Sequence, residues 1–381
     1  MKKRVLSVLL VMLLVFITAC SNNEPQTSSG SEDAHLSIVT SFYPIYYLTK
    51  EIGGEHVKVT NLIPAGIEPH DWSPKSKDLL TASQADLLLY HGVGLETWID
   101  NFKQGLEKDS GVLIKEVSTG INLIDVTAEE DNHADHDHAT EEDHDHADHD
   151  HATEEEHDHA DHDHATEEAH DHADHDHATE EADDHADHDH ATEEADDHAD
   201  HDHDHHHGGI DPHTWVSPKS ALVLASNIKD SLVEADAGNA EIYEQNYEAL
   251  KAKITALDEK YEEELSKVSL RTFVVSHQAF GYIARDYHLE QISIMGLSPS
   301  AEPRAQDIKN IANLVKEKGV RVIFFEELVS DNLAKMLAAE AKVDTNVIYS
   351  LEGLTTKQEQ AGEDYLTLME RNLQNLVEAL Q

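Results

Sequence analysis

The sequence predicts an α/β protein with two βα lobes, each built on a parallel sheet, joined by one long rigid helix. In both halves of the chain, short apolar runs alternate with longer amphipathic runs, which is typical of βαβ units. Between the halves, residues 239–267 show helical spacing of apolar residues and contain no Gly or Pro. A helix of about 29 residues spans roughly 43 Å at 1.5 Å per residue, which is long enough to brace two lobes.

The first lobe is predicted to cover residues 36–237, with an insert at 131–207. Strands and helices alternate from the first apolar run onward, and Gly53 with Gly54 marks the end of the first helix. The predicted strands are Leu36–Thr40, Val57–Ile63, Asp86–Tyr90 and Val112–Lys115, and the predicted helices are Ile45–Ile52, Lys75–Ala82 and Leu95–Leu106.

The linking helix is assigned to residues 238–268 and the second lobe to residues 269–381, where the same alternation returns. Because the carboxyl ends of parallel strands meet at one edge of a sheet, polar residues that follow these strands are candidates for a binding site. The predicted strands are Arg271–Ser276, Gln291–Met295, Val320–Phe325 and Val347–Ser350, and the predicted helices are Ala279–Tyr287, Ala305–Lys318, Asn332–Ala341 and Glu363–Leu380.

The charge of the chain is strongly negative and unevenly distributed. The 381 residues include 78 Asp and Glu against 27 Lys and Arg, which gives a formal net charge of −51. Residues 129–204 hold 35 of these acids and no Lys or Arg. Such a charge repels nucleic acid and anionic lipid, so neither is expected as the main partner, and a cationic partner is favoured.

The N-terminal segment has the pattern of an exported lipoprotein. A basic start precedes an apolar run that is too short for a comfortable membrane span. Small residues before Cys20, the single cysteine, resemble a lipobox, so residues 1–19 are predicted to be a signal peptide, Cys20 the lipidation site and residues 20–35 a tether. An ordinary signal peptide cut near Ala19 is the alternative. We expect an exported protein that touches the membrane only through its lipid. A Gram-positive cell, with the protein on the outer face of the cell membrane, is favoured over the periplasmic face of a Gram-negative one.

The insert at residues 131–207 is a tandem repeat. The sequence His-Ala-Asp-His-Asp-His recurs at a constant step of 13 residues, beginning at His133. Its only apolar residues are alanines, so it can bury too little surface to offset the entropy of ordering. The insert is therefore predicted to be disordered.

The insert is also predicted to bind metal ions weakly. It holds 24 of the 31 histidines, and neutral imidazole is a common ligand of zinc, copper and nickel. In an extended His-Asp-His segment the two imidazoles project on the same side, close enough to share an ion. Because the segment must be ordered at each binding event, we expect several weak, exchangeable sites, with His133, His136, His138, His144, His146, His149, His151, His201, His203, His205, His206 and His207 among their ligands.

Three of the other seven histidines stand in unusual local sequences. They are His70 in Glu-Pro-His-Asp-Trp, His213 in Asp-Pro-His-Thr-Trp and His277 in Ser-His-Gln-Ala-Phe. His277 ends a predicted strand and Glu352 follows another, so both lie where ligands bind in open α/β sheets. A lone histidine at a strand end is more often a satisfied polar residue, but three in such settings favour a metal site.

These segments resemble the metal-binding lipoproteins of bacterial zinc and manganese ABC importers. The resemblance covers residues 36–381 apart from the repeats, and it implies two α/β lobes joined by a long helix, with the metal held in the interlobe cleft. The matching motifs are Ser41-Phe42-Tyr43-Pro44, Ile63-Pro64, Glu68-Pro69-His70-Asp71, Asp211-Pro212-His213-Thr214-Trp215, Val275-Ser276-His277-Gln278-Ala279-Phe280-Gly281-Tyr282 and Ser300-Ala301-Glu302-Pro303.

The resemblance carries the metal-ligand role over to His70, His213 and His277. A carboxylate near the last strand completes the family's ligand set, and Glu352 is favoured for it. Its rivals are Glu326, which also follows a predicted strand, and Glu68 beside His70. Of the remaining residues, His91 is a possible supporting or transient ligand, His35, His56 and His288 are expected to be solvated, and Trp72 and Trp215 to be packing residues.

The ligand types favour zinc as the metal. Three imidazoles and one carboxylate suit tetrahedral zinc, whereas manganese prefers more oxygen ligands and a higher coordination number. A histidine-rich insert is also typical of the family's zinc members. The resemblance thus implies a monomeric, non-enzymatic protein that captures Zn²⁺ and delivers it to an ABC permease and its ATPase.

Other functions stay open as alternatives. One is a manganese-binding homologue of the same transporter class, and another is a surface zinc buffer or adhesin. A zinc hydrolase is disfavoured, because no His-Glu-x-x-His motif occurs and a fourth protein ligand would close the position that a hydrolase keeps open.

Overall fold

The computed structural model of this chain describes residues 35–106, 110–126, 209–300 and 303–381. The predicted signal peptide, Cys20, most of the tether and the repeat insert with its assigned histidines lie outside the described residues. Within the described ranges, no helix is both long enough and apolar enough to cross a membrane.

The first half of the chain forms a four-stranded parallel sheet with helices between the strands. Its elements are β1 (Leu36–Thr40), α1 (Tyr43–Gly53), β2 (Val57–Asn61), α2 (Ser76–Ser83), β3 (Leu87–Tyr90), α3 (Ile99–Leu106) and β4 (Leu113–Glu116). The strand order is β2-β1-β3-β4. The inner strand β3 is apolar and buried along its whole length, as expected for a parallel strand with both faces covered.

Two long helices follow the first sheet, α4 (Pro218–Ala235) and α5 (Ala240–Ser266). The second of them lies within the predicted linking segment and packs against α1 and α4. Its buried side chains recur at helical spacing: Tyr243, Tyr247, Leu250, Ile254, Leu257, Tyr261 and Leu265. These residues belong to a hydrophobic core that takes side chains from both halves of the chain.

The second half repeats the arrangement of the first, with the strand order β6-β5-β7-β8. In both sheets the order in which successive strands are added reverses between the two inner strands, which defines a switch point. In open α/β sheets, ligands bind at the carboxyl ends of the strands beside such a switch point. The elements are β5 (Thr272–Val275), α6 (Gly281–Asp286), β6 (Glu290–Ser293), α7 (Ala305–Glu317), β7 (Val322–Phe325), α8 (Asn332–Ala341), β8 (Asp344–Val347), α9 (Thr356–Ala361) and α10 (Tyr365–Leu380).

The structure and the relatives described below confirm the predicted fold class of two α/β lobes with parallel sheets. All the described residues belong to one compact unit, and α5 contacts α10 as well as helices of the first half. The limits assigned to the lobes and to the linking segment stay a prediction.

The prediction of the last strand as Val347–Ser350 was wrong, because β8 spans Asp344–Val347. Past β8, a side chain takes the place of the neighbouring strand as hydrogen-bond partner of the backbone. Asn372 of α10 accepts from the backbone N–H of Tyr349 at 2.8 Å and donates to the Tyr349 carbonyl at 2.7 Å. The predicted run is more apolar than β8, but its last three residues, 348–350, lie past the strand. Helices α4 and α9 were not predicted.

Candidate metal centre

Four side chains from four separate segments bring ligand atoms together at one point. They belong to His70, His213, His277 and Glu352, and their ligand atoms all lie within 4.8 Å of one another. The residues singled out from the sequence are thus gathered into one cluster. They are distant in sequence, so only the fold brings them together.

Four of the distances within the cluster are close to those of a tetrahedral zinc site. A zinc ion with bonds of about 2.0–2.1 Å has ligand atoms about 3.3–3.4 Å apart. His70 Nε2 lies 3.2 Å from His213 Nε2. Glu352 Oε1 lies 3.5 Å from His70 Nε2, 3.5 Å from His213 Nε2 and 3.7 Å from His277 Nε2. A single ion at the centre could bond to all four atoms with little movement.

The local backbone presents three of these side chains in different ways. His70 lies in a single 3₁₀ turn, Pro69–Asp71, and His277 follows β5 at the switch point of the second sheet. Glu352 follows Leu351, whose φ of 63° lies in the left-handed region. That conformation costs a non-glycine residue on the order of 1 kcal/mol. Leu351 is buried, and this backbone turn precedes the residue that completes the cluster.

Two carboxylates lie beside Nδ1 of the histidine rings: Asp211 forms a hydrogen bond, and Glu326 forms a close ionic contact. Asp211 Oδ1 lies 2.9 Å from Nδ1 of His213, and Glu326 Oε2 lies 2.6 Å from Nδ1 of His277. A carboxylate at Nδ1 favours the tautomer that leaves Nε2 free for a metal. Glu326, a rival for the fourth ligand, is therefore placed behind a histidine, and Glu352 is the carboxylate inside the cluster.

Gly281 allows Asp211 to take this position. A Cβ atom at residue 281 would lie 2.6 Å from Asp211 Oδ2, which is too close for two non-bonded atoms. The glycine of the Phe-Gly-Tyr segment thus leaves room for the carboxylate that orients His213. Both residues belong to the motifs noted in the sequence, but neither was predicted to have this role.

The electrostatics of the cluster favour a cation at its centre. Burial alone would lower the pKa of His277, but the charge and contact of Glu326, with Glu352, outweigh burial and raise it well above its usual value. For His213, burial likewise would lower the pKa, but Asp211 and Glu352 outweigh burial and raise it. For Glu352, burial would raise the pKa, but its three histidine contacts hold it well below the usual range.

Several of the clustered atoms also lack hydrogen bonds. Both oxygens of Glu352 and Nε2 of His277 are buried and have no hydrogen-bond partner among the described residues. The side chains of His213, His277 and Glu352 are 0% exposed, and that of His70 is 5% exposed. Buried polar atoms of this kind are costly unless something binds them, and a Zn²⁺ ion would bind Glu352 Oε1 and His277 Nε2 at once.

Glu68, the second rival for the fourth ligand, serves the turn that carries His70. Its Oε1 accepts from the backbone N–H of His70 at 3.2 Å. Burial and the neighbouring charge of Glu352 raise the pKa of Glu68 to about 9. Burial and the charge of Glu352 thus favour the neutral form of the Glu68 carboxyl group.

The other residues named from the sequence lie outside the cluster. His91 is buried, and burial lowers its pKa to about 3. His35 and His288 are exposed, as expected, but His56 is half-buried, and so is Trp72. Trp215 is buried in the core and also donates from Nε1 to the carbonyl of Ser350 at 2.8 Å.

Glu96 is a buried acid that sequence analysis missed. It accepts hydrogen bonds from Ser41 Oγ at 2.6 Å and from the backbone N–H groups of His91 and Gly92 at 2.7 and 3.0 Å. It thereby holds together the loops that follow β1 and β3. No local motif distinguishes this glutamate from the many solvated ones.

Comparison with known proteins gives consistent matches over nearly the whole chain. The family model of the periplasmic zinc-uptake complex component A, ZnuA, matches residues 38–379. The zinc-binding lipoprotein AdcA of Streptococcus pneumoniae is 33% identical over 374 residues, which cover 98% of this chain and 60% of AdcA. This chain thus spans about 60% of the length of that relative.

One further relative and one solved domain structure match almost end to end. The high-affinity zinc uptake system protein ZnuA of Bacillus subtilis is 32% identical over 366 residues, 96% of this chain and 94% of the relative. The Zn(II)-bound ZnuA-like domain of Streptococcus pneumoniae AdcA has a TM-score of 0.64 at 29% identity, covering 91% of this chain and 99% of the domain.

Proposed function

Because this chain belongs to the family of the zinc-uptake complex component A, we propose that it captures Zn²⁺ outside the cytoplasm and delivers the ion to an ABC permease and its ATPase. His70, His213, His277 and Glu352 are the proposed ligands. The proposal rests on one observation: three imidazole nitrogens and one carboxylate oxygen of these residues lie close together in a buried cluster. In this role zinc is the cargo, bound and released in each cycle.

The geometry supports zinc over manganese and binding over catalysis. Three nitrogens and one oxygen at tetrahedral spacing suit zinc, whereas manganese prefers more oxygen ligands. A zinc hydrolase keeps one coordination position open for water, and four protein ligands leave none. We therefore propose a binding protein without enzymatic activity.

The proposed location is the outer face of the cell membrane, with Cys20 as the lipid anchor and a monomer as the working unit. Support comes from the lipobox-like sequence before Cys20 and from the relative named a zinc-binding lipoprotein. Export places the protein where an importer receives its cargo.

Zinc uptake by cells tests the transport proposal. In cells that lack this protein, uptake of radioactive zinc at limiting supply is expected to fall and to recover when the gene is restored. Manganese uptake serves as the control and should not change. A surface buffer or adhesin predicts normal zinc uptake in the deleted cells, so that result would overturn the proposal.

Zinc affinity is expected to fall as the pH decreases from 8 to 5. The pKa values of His213 and His277 are raised above the ordinary histidine value of about 6.5. As the pH falls, both rings of the zinc-free protein therefore become protonated at a higher pH than an ordinary histidine does. Zinc binds only unprotonated imidazole, so binding must release these protons, and competition strengthens as the pH drops.

Competition with a chelator at each pH, corrected for protonation of the chelator, measures this effect. Calorimetry in buffers with different heats of ionisation gives the number of protons released on zinc binding near pH 7, which should be greater than zero. Equal affinity at pH 7 and pH 5 would contradict the three-histidine site.

A further inference from the structure

His91 is a fully buried histidine placed directly behind the loop that carries His213. It follows β3, and its Nε2 lies 2.9 Å from the carbonyl oxygen of Pro212. A carbonyl oxygen can only accept, so the ring proton must lie on Nε2. Nδ1 is then an acceptor, and no described residue donates a hydrogen bond to it. The ring therefore donates to the peptide unit that immediately precedes His213.

The surroundings of His91 fix its ring in place. It packs in T-shaped arrangements against the rings of Phe42 and Trp215, with centroids 5.8 and 5.1 Å away. Its backbone N–H donates to the buried carboxylate of Glu96 at 2.7 Å. His91 is thus held at the switch point of the first sheet. Its hydrogen bond to the Pro212 carbonyl fixes Pro212 relative to that sheet.

The same loop is attached by side chains to the second half of the chain. The Tyr282 hydroxyl donates to the carbonyl of Asp211 at 2.6 Å, and Trp215 Nε1 donates to the carbonyl of Ser350 at 2.8 Å. His91 supplies the matching side-chain bond from the first sheet. The loop of residues 211–215 therefore lies between two anchors, with His213 in the middle.

We propose that His91 is a positioning residue for zinc, which holds the Pro212 carbonyl so that His213 Nε2 points at the other three ligand atoms. Packing alone would favour an apolar side chain between Phe42 and Trp215, because the unpartnered Nδ1 destabilises the buried site. The donor at Nε2 provides the bond that an apolar residue cannot make. The inference rests on the proposed function only in taking zinc as the bound ion.

Three substitutions of His91 distinguish the effect of its hydrogen-bond donor from the effect of the ring's size. Glutamine can place its amide nitrogen near the position of Nε2, whereas asparagine is one carbon shorter and leucine has no donor. His91→Leu and His91→Asn are expected to weaken zinc binding by about tenfold to a hundredfold, the range for losing an outer partner of a metal ligand. His91→Gln should recover most of the affinity.

The control is Tyr261→Phe in α5. The Tyr261 hydroxyl also makes a buried bond to a backbone carbonyl, that of Met369 at 2.6 Å. This substitution should lower the melting temperature of the zinc-free protein and leave zinc affinity unchanged. If it weakens zinc binding as much as His91→Leu does, a general loss of stability is the cause and the proposal is overturned.

Chelator competition gives the affinities, and thermal unfolding of the zinc-free proteins gives the stabilities. If His91→Leu does not fold, the comparison of Asn with Gln decides, since both are polar and differ by one methylene. Equal zinc affinity in these two variants would overturn the proposal. A parent protein that binds no zinc tightly would instead refute the proposed function, so the two failures are distinguishable.

Discussion

Replacement of His213 with alanine is expected to lower zinc affinity by at least about tenfold. Loss of an outer partner alone typically costs ten- to a hundredfold, and His213 is itself one of the four converging residues. Its Nε2 lies 3.2 Å from His70 Nε2 and 3.5 Å from Glu352 Oε1, so its removal opens one corner of the tetrahedron. The substitution also removes the ring that Asp211 orients. Titration calorimetry with a competing chelator measures the change.

His35→Ala provides the matched control for this experiment. His35 is an exposed histidine outside the cluster, so its removal should leave affinity unchanged. The zinc-free His213→Ala protein must also unfold cooperatively, which shows that the fold persists. If that folded variant binds zinc as tightly as the parent, the assignment of His213 is wrong.

Removal of Glu352 and removal of Glu326 are expected to lower zinc affinity to different extents. Glu352→Ala removes the oxygen inside the cluster, whereas Glu326→Ala removes the partner of His277 Nδ1 and leaves all four ligand atoms present. The first substitution should therefore weaken zinc binding more than the second. Unchanged affinity in Glu352→Ala together with a large loss in Glu326→Ala would transfer the ligand role to Glu326.

The strand ends could be found from the sequence because their signals are local. The apolar runs of β1, β3 and β5 are short, buried and followed by polar residues, and the parallel arrangement then places His277 at a carboxyl edge. That His277 meets His70 and His213 could not be derived in this way. It depends on how the two halves pack, and the resemblance to known importers supplied that information.

The supporting residues were harder to find than the clustered ones. Asp211 stands two residues before His213, a spacing compatible with a carboxylate at Nδ1, but the same spacing occurs often without a metal. Glu326 was a rival to Glu352 for the fourth ligand because it follows a strand, and only side-chain geometry places it behind His277. His91 has no local motif at all, since its partner Pro212 is 121 residues away in sequence.

Removal of the tandem repeats is expected to leave the fold and one tight zinc site while abolishing the weaker zinc sites. The insert contains 24 of the 31 histidines but no apolar residue larger than alanine, so the core does not need it. Closing a loop of 77 residues instead of one of about 10 costs only about 2 kcal/mol more in entropy, so its loss should change stability little.

The described chain on either side of the repeats suggests where to cut. Asp125 and Ile210 form an antiparallel bridge, and the backbone N–H of Val126 donates to the carbonyl of Gly209 at 2.6 Å. Replacing residues 127–208 with Asn-Gly would close this pair with a two-residue hairpin turn. Because Asp211 follows directly, a correctly closed pair keeps the partner of His213 in place.

Zinc stoichiometry by equilibrium dialysis, together with thermal unfolding, tests the effect of this deletion. The parent should bind several zinc ions and the shortened protein one, with closely similar melting temperatures and tight-site affinities. A second variant that keeps the length of the insert but has asparagine in place of its histidines should also bind one ion, which assigns the weak sites to imidazole rather than to the acids. Growth under zinc limitation should decline modestly in both variants, because the ion is then caught only by the tight site. Unfolding of the shortened protein, or equal zinc stoichiometry in parent and deletion, would refute this division of roles.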